Sequence, residues 1–309
     1  MTTGGQLPVV VGIDGSEESM KALAYAVAEA RRHDCKLVLA HAVPEVVPMT
    51  PMLPLVGSET LEETGRRILR VAHRSADQLA ERSLDIEETM RIGSRVHFMV
   101  QLSDQARTVV LGHRRRSAVQ RVLTASTTSG VALRAHCPVV CVPADWEPTS
   151  PHSCVLVGVE DVDHPGEPLE TAFSTAARRR SRLTVLHAWK LPSPYDDIIT
   201  ARTHGEEWQR EASRRLEQSM ADLRLRYPEV HVEADIRHEP PAAALVEASA
   251  RADLMLVGRH SRGAPLGFYL GSVTRTLIRE THCPVEVVPI HHAAEGEDAA
   301  TLRLTTTGS

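Results

Sequence analysis

The chain has 309 residues, 42% of them hydrophobic and 24% charged, with a formal net charge of −5 at pH 7. That length allows about two domains of ordinary size, and the composition is that of a soluble globular protein. An acidic balance with 3% aromatic residues argues against a nucleic-acid binder, which needs a basic face and rings for stacking. The N-terminus lacks the basic stretch of a signal peptide, and no apolar run reaches membrane-spanning length. A cytoplasmic protein without a membrane partner is expected. Cys35, Cys137, Cys141, Cys154 and Cys283 form no C-x-x-C pair and read as buried free thiols, not a disulfide framework or a zinc site.

In chain order, Leu7 to Ile13 is a β-branched run ending at Asp14-Gly15-Ser16. Ser16 marks a helix start, and Met20, Leu23, Ala24, Val27 and Ala28 keep an apolar face at helical spacing. Lys36 to Ala42 predicts a second strand. Pro44, Pro48, Pro51 and Pro54 exclude regular structure after it. Ser58 to Ser83 reads as an amphipathic helix, Leu84 to Ile92 as a strand, Ser94 to Gln105 as a helix, and Thr108 to Leu111 as a strand closing at Gly112. The basic loop His113 to Arg116 leads to a helix from Ser126 to Ala135 and a strand from Pro138 to Val142. Strands alternating with helices predict a parallel sheet covered on both faces.

Pro148 and Pro151 mark a linker, after which the order begins again. His41 and His187 differ by 146, and so do Gly112 and Gly258, Ser126 and Ser272, and Cys137 and Cys283. A constant offset over widely spaced anchors identifies a tandem duplication of one α/β domain. The expected boundaries are 1–146 and 147–290, with a tail over 291–309 that has no apolar periodicity and is expected to be disordered. His291 and His292 in that tail lack further ligands at metal-binding spacing.

In the second half, Leu254 to Val257 is an apolar strand, followed by Gly258, a glycine-rich loop, and Gly271-Ser272 opening a helix. A strand, such a loop and a helix N-terminus are the ingredients of a phosphate cradle. Gly271 would admit close backbone approach, and Ser272 is expected to cap the helix.

With VVVGIDGS at Val9 to Ser16, LVLAHA at Leu37 to Ala42, LTVLHAW at Leu183 to Trp189, ADLMLVGRHSRG at Ala252 to Gly263 and GSVTRTLIRETHCPVEVVP at Gly271 to Pro289, the chain resembles a universal stress protein. It resembles in particular the tandem-domain members of high-GC Gram-positive bacteria. The resemblance implies two five-stranded parallel open sheets with helices on both faces. It also implies ATP, with Mg2+, at the strand ends. An aspartate ending the first strand would hold the nucleoside. A loop spelled glycine, two residues, glycine, nine residues, glycine, then serine or threonine would hold the phosphates.

Carried onto this chain, the second half supplies Glu160 in the aspartate's place, Ala188, Gly258, His260, Ser261 in the middle glycine's place, Gly271, Ser272 and Val273. The first half supplies Asp14, with Gly15 and Ser16 matching the pattern, and Ala42. Its loop, however, reads Gly112, Arg115, Ala125 and Ser126, so two of three glycines are replaced. The second half thus has the better phosphate loop and the first the better nucleoside wall. Repetition of His41 and His187 points to a shared packing or pocket-wall role. No G-x-x-x-x-G-K-[ST] sequence, G-x-S-x-G elbow or evident general base occurs. The expected function is therefore ATP-dependent regulation in a stress response, with hydrolysis slow at most. A nucleotide-free interaction scaffold is the alternative. Association through the last strands of the halves, within one chain or in a homodimer, is also implied.

Overall fold

The computed structural model describes residues 6–45, 58–113, 127–148, 152–191, 193–259 and 270–289. The first half runs β1 (Val9–Gly12), α1 (Glu17–His33), β2 (Leu37–Val43), α2 (Ser58–Leu79), β3 (Ile86–Ile92), α3 (Arg95–Ser103), β4 (Thr108–His113), α4 (Thr127–Arg134) and β5 (Val139–Pro143). The second repeats that order as β6 (Cys154–Gly158), α5 (Gly166–Arg179), β7 (Arg182–Ala188), α6 (Pro194–Arg226), β8 (Val232–Arg237), α7 (Pro241–Ser249), β9 (Leu254–Gly258), α8 (Ser272–Glu280) and β10 (Val285–Val288). The expected alternation is present, with trimmed ends. α2 stops at Leu79 because Glu81 and Arg82 turn left-handed, at φ 52° and 60°, and the Arg82 N–H bonds back to the Asp77 carbonyl.

α1 shows why these segments form helices. Ser16 caps it by accepting from the Ser19 N–H, Glu17 and Glu18 sit in its first turn, and Arg31, Arg32 and His33 in its last. Each charge opposes the nearer end of the helix dipole. Its apolar face, including Ala22, Leu23, Ala26 and Ala30, is fully buried.

The strands make one ten-stranded sheet in the order β3-β2-β1-β4-β5-β10-β9-β6-β7-β8. Neighbours are parallel except β5 and β10, which run antiparallel with Val285 opposite Cys141, Glu286 opposite Val140 and Val287 opposite Val139. Of the two arrangements implied for the last strands, pairing within the chain is the one found here. Each of these edges is satisfied by the other. α1, α2, α5 and α6 cover one face and α3, α4, α7 and α8 the other, and both apolar cores continue from one half into the next.

Polar contacts also cross the seam. Arg179 of α5 donates to the Tyr25 hydroxyl at 2.6 Å and to Glu29 Oε2 at 2.7 Å, and Glu29 additionally receives Arg32 and His33. On the opposite face Arg259 donates to the Ala135 carbonyl at 2.5 Å.

The five cysteines are free and buried. Burial pushes the Cys137 and Cys141 thiols up to about 12.

Candidate functional site

In each half the chain leaves the first strand in one direction along the sheet and later returns to its other side. The reversal falls between β1 and β4, and again between β6 and β9. Ligands of open α/β sheets bind in the crevice beyond the strand ends at such a reversal. The sequence-derived candidates therefore have a topological meaning: Asp14 and Gly112 flank one switch point, Glu160 and Gly258 the other.

At the first switch point Asp14 Oδ1 accepts from the Ser16 N–H at 3.0 Å and from its hydroxyl at 2.5 Å. Gly15 makes that turn possible with φ +80°, a conformation that disfavours any side chain. Partial burial raises the Asp14 pKa, but hydrogen bonds from Ser16 and Ser19 and the charge of Arg95 outweigh it, so the net shift is downward. Asp14 is thus an ionised acceptor facing solvent at the strand end. Arg95 was not among the sequence-derived candidates. It opens α3 directly after its cap Ser94, a position whose proximity to Asp14 depends on how α3 packs across the sheet.

Gly112 serves packing. A Cβ there would lie 2.4 Å from the Glu18 carbonyl oxygen, so β4 and the start of α1 touch through backbone. Thr128 of α4 bonds the Gly112 carbonyl at 3.1 Å, and its repeat partner Thr274 of α8 bonds the Gly258 carbonyl at 3.4 Å. These matched bonds fix the start of each helix beside the end of the preceding strand.

The second switch point is built differently. Asp161 occupies the place of Gly15 and does not adopt positive φ; the left-handed residue is instead Gly166, at +68°. α5 consequently starts at Gly166, whereas α1 starts at Glu17, whose repeat partner is Asp163. Glu160 follows β6 as expected and is exposed, but it does not reproduce the Asp14 turn. Asp161 accepts from the Asp163 and His164 N–H groups at 2.8 and 3.3 Å. The loop is also fastened to α6, by Arg215 on Asp163 and by the Ser219 hydroxyl on the Val162 carbonyl at 2.7 Å.

The phosphate-loop expectations meet one correction. Ser272 does not cap α8. The cap position is Gly271, which has no side chain to offer, and Ser272 lies one residue inside the helix. Gly271 has φ −53°, so its backbone needs no glycine; what glycine leaves is space before the helix N-terminus. Neither α4 nor α8 has an acidic residue in its first turn, unlike α1 and α5. Their positive dipole ends are not offset by a carboxylate there. Val273 is partly buried and packs against the core at the helix start, where the first backbone N–H groups lack helical partners. Ala42, next to last in β2, and Ala188, ending β7, pack on the same core. Arg115, Ser126, His260 and Ser261 lie outside the described residues, as do His291 and His292.

The repeated histidines pin the strand ends. His41 Nδ1 bonds the Ile13 carbonyl at 2.7 Å, and His187 Nδ1 bonds the Val159 carbonyl at 3.0 Å. Each ring ties the second strand of its half to the turn that follows the first. Among the described residues no cluster of His, Cys, Asp and Glu is arranged to hold a metal, and no helix is long and apolar enough to cross a membrane.

Fold and switch points define a tandem, doubly wound α/β protein. The Universal stress protein family matches residues 7–143 and 153–289, and the chain belongs to that family. A universal stress protein of Mycobacterium tuberculosis is 33% identical over 288 residues, covering 90% of this chain and 96% of its own. The crystal structure of a universal stress protein from Archaeoglobus fulgidus superposes with a TM-score of 0.67 at 17% identity, over 92% of this chain and 96% of that one. A universal stress protein solved in complex with cAMP matches 44% of this chain and 95% of its own at 30% identity, with a TM-score of 0.36.

Proposed function

We propose that the protein is an ATP-binding regulator of a stress response, whose nucleotide occupancy biases its conformation or partner choice, with turnover slow or absent. The observation that carries this reading is the start of α8. Its first N–H groups open beside the end of β9 at a switch point, behind a glycine and without a first-turn carboxylate. Phosphates would lie on the backbone N–H groups of Ser272 and Val273, with Gly258, His260 and Ser261 completing the loop and Mg2+ offsetting phosphate charge. The nucleoside would lie toward Glu160 and Ala188.

One observation favours a second reading, a nucleotide-free scaffold: in this half the turn beyond β6 carries Glu160 and Asp161 and is tied down by α6. The test is to denature the purified protein and assay the released supernatant for nucleotide. ATP is then titrated into wild type, Gly271→Arg and Asp14→Ala. Because the Gly271 backbone suits any residue, Gly271→Arg is expected to fold and to lose binding. No released nucleotide and no heat of binding would leave the scaffold. Loss with Asp14→Ala alone would move the site to the first half.

A further inference from the structure

A cavity of about 240 Å³ lies beyond the ends of β7 and β8, lined by Trp189, Gly205, Glu206, Gln209 and His238. It is small for a drug-sized ligand and has an aromatic wall. The Trp189 and His238 ring centroids are 4.3 Å apart with a tilt of 35°, and the Trp208 ring centroid is 5.2 Å from that of Trp189. The wall is held in place: His238 Nε2 bonds Asp197 Oδ1 at 2.7 Å, and Asp197 also accepts the Leu191 N–H at 2.9 Å. The Trp189 backbone N–H donates to the Arg237 carbonyl at 3.0 Å.

Glu206 lines the same cavity. Glu206 forms no ion pair or hydrogen bond through its side chain among the described residues. Arg210, one turn on and the usual partner at that spacing, bonds the Glu206 backbone carbonyl instead, at 3.1 Å. The neighbouring cation Arg237 is already engaged by Asp235 and Glu247, and Lys190 acts on Asp197. Gly205 also lines the cavity, in the interior of a 33-residue helix. Glycine weakens a helix there, and a Cβ at this position would meet nothing within 4 Å. A larger side chain there would therefore project into open space beside the cavity.

We propose that this cavity binds a small organic monocation of the quaternary or alkyl ammonium class. The charge would rest against the part of the Trp189 ring that lines the cavity, and Glu206 would balance it. The test titrates choline into the intact chain, read by tryptophan fluorescence and by heat, beside the neutral analogue in which carbon replaces the choline nitrogen. Saturable choline binding is expected, with the neutral analogue weaker. Glu206→Gln should weaken choline roughly threefold to tenfold, and Gly205→Leu should abolish binding while raising helicity. An unchanged urea midpoint or a higher one in Gly205→Leu verifies that this variant folds. The proposal is overturned if saturation is absent by about 50 mM choline, beyond the millimolar affinity such contacts supply. Equal binding of the neutral analogue, or undiminished binding in Gly205→Leu, would overturn it as well. Choline carries neither base nor phosphate, so this outcome is independent of the nucleotide reading.

Discussion

Val140 and Glu286 face each other across the β5–β10 seam, and they are the same position of the repeat, 146 residues apart. The pseudo-twofold axis that relates the halves passes through this pair. One copy of the position is an apolar residue buried in the core, and the other is a carboxyl without an ion-pair or hydrogen-bond partner among the described residues. Burial raises the Glu286 pKa to about 7, the charge of Glu29 adds to it, and Arg179 and Arg178 act against it.

The sign of the resulting pH dependence follows from that elevation. The unfolded chain ionises this carboxyl near its ordinary value, while the folded chain holds the proton until about pH 7. Glu286 therefore costs nothing below its ordinary pKa of 4.5, destabilises progressively as pH rises from there to about 7, and adds no further penalty above that. Glu286→Val, which copies Val140, is expected to stabilise the protein by about 1–3 kcal/mol at pH 8 and much less at pH 5. Urea unfolding at the two pH values checks this; a gain of equal size at both would show that hydrophobicity alone is responsible.

Glu29 behaves oppositely. Burial raises its pKa, but the His33 hydrogen bond and the charges of Arg179 and Arg32 prevail and bring it to about 2. Its stabilisation is present above the ordinary carboxylate range and is lost as pH falls toward 2. Glu29→Gln leaves Arg179 and its neighbours without their counter-charge and is expected to cost about 3–5 kcal/mol at pH 7. A double-mutant cycle with Arg179→Met measures how much of that is direct coupling across the seam.

Two glycines should fail for different reasons. Gly15→Ala places a side chain at φ +80° and is expected to lose about 1–2 kcal/mol through backbone strain. Gly112→Ala drives a methyl to 2.4 Å from the Glu18 carbonyl, where no side chain can yield. A loss of about 1–3 kcal/mol is expected. Thermal melts of both variants, compared with Gly271→Ala as a neutral control, test the contrast.

Buried thiols should be inert. A disulfide reagent at pH 8 is expected to label none of the five cysteines in the native protein and all five in denaturant. Native labelling of Cys137 or Cys141 would contradict their burial beneath α4 and along the seam.

The duplication, the alternation of strands and helices, and the caps at Ser16 and Ser94 are legible in the sequence. They depend on local periodicity, on side-chain chemistry within one helical turn, and on a constant offset between halves. The equivalence of Glu160 to Asp14 is also readable, but the failure of Glu160 to act alike is not. That failure follows from a left-handed turn displaced to Gly166, together with the grip of α6 on the loop through Arg215 and Ser219. The pairing of β5 with β10 could have been between chains as easily as within one, since an edge strand's hydrogen bonds do not specify whose strand completes them. Arg95 beside Asp14, the unpaired Glu286 on the axis, and the Trp189–His238 wall of the cavity that Gly205 also lines join residues far apart in the chain. Only the packing of helices across a finished sheet brings such residues within reach of one another.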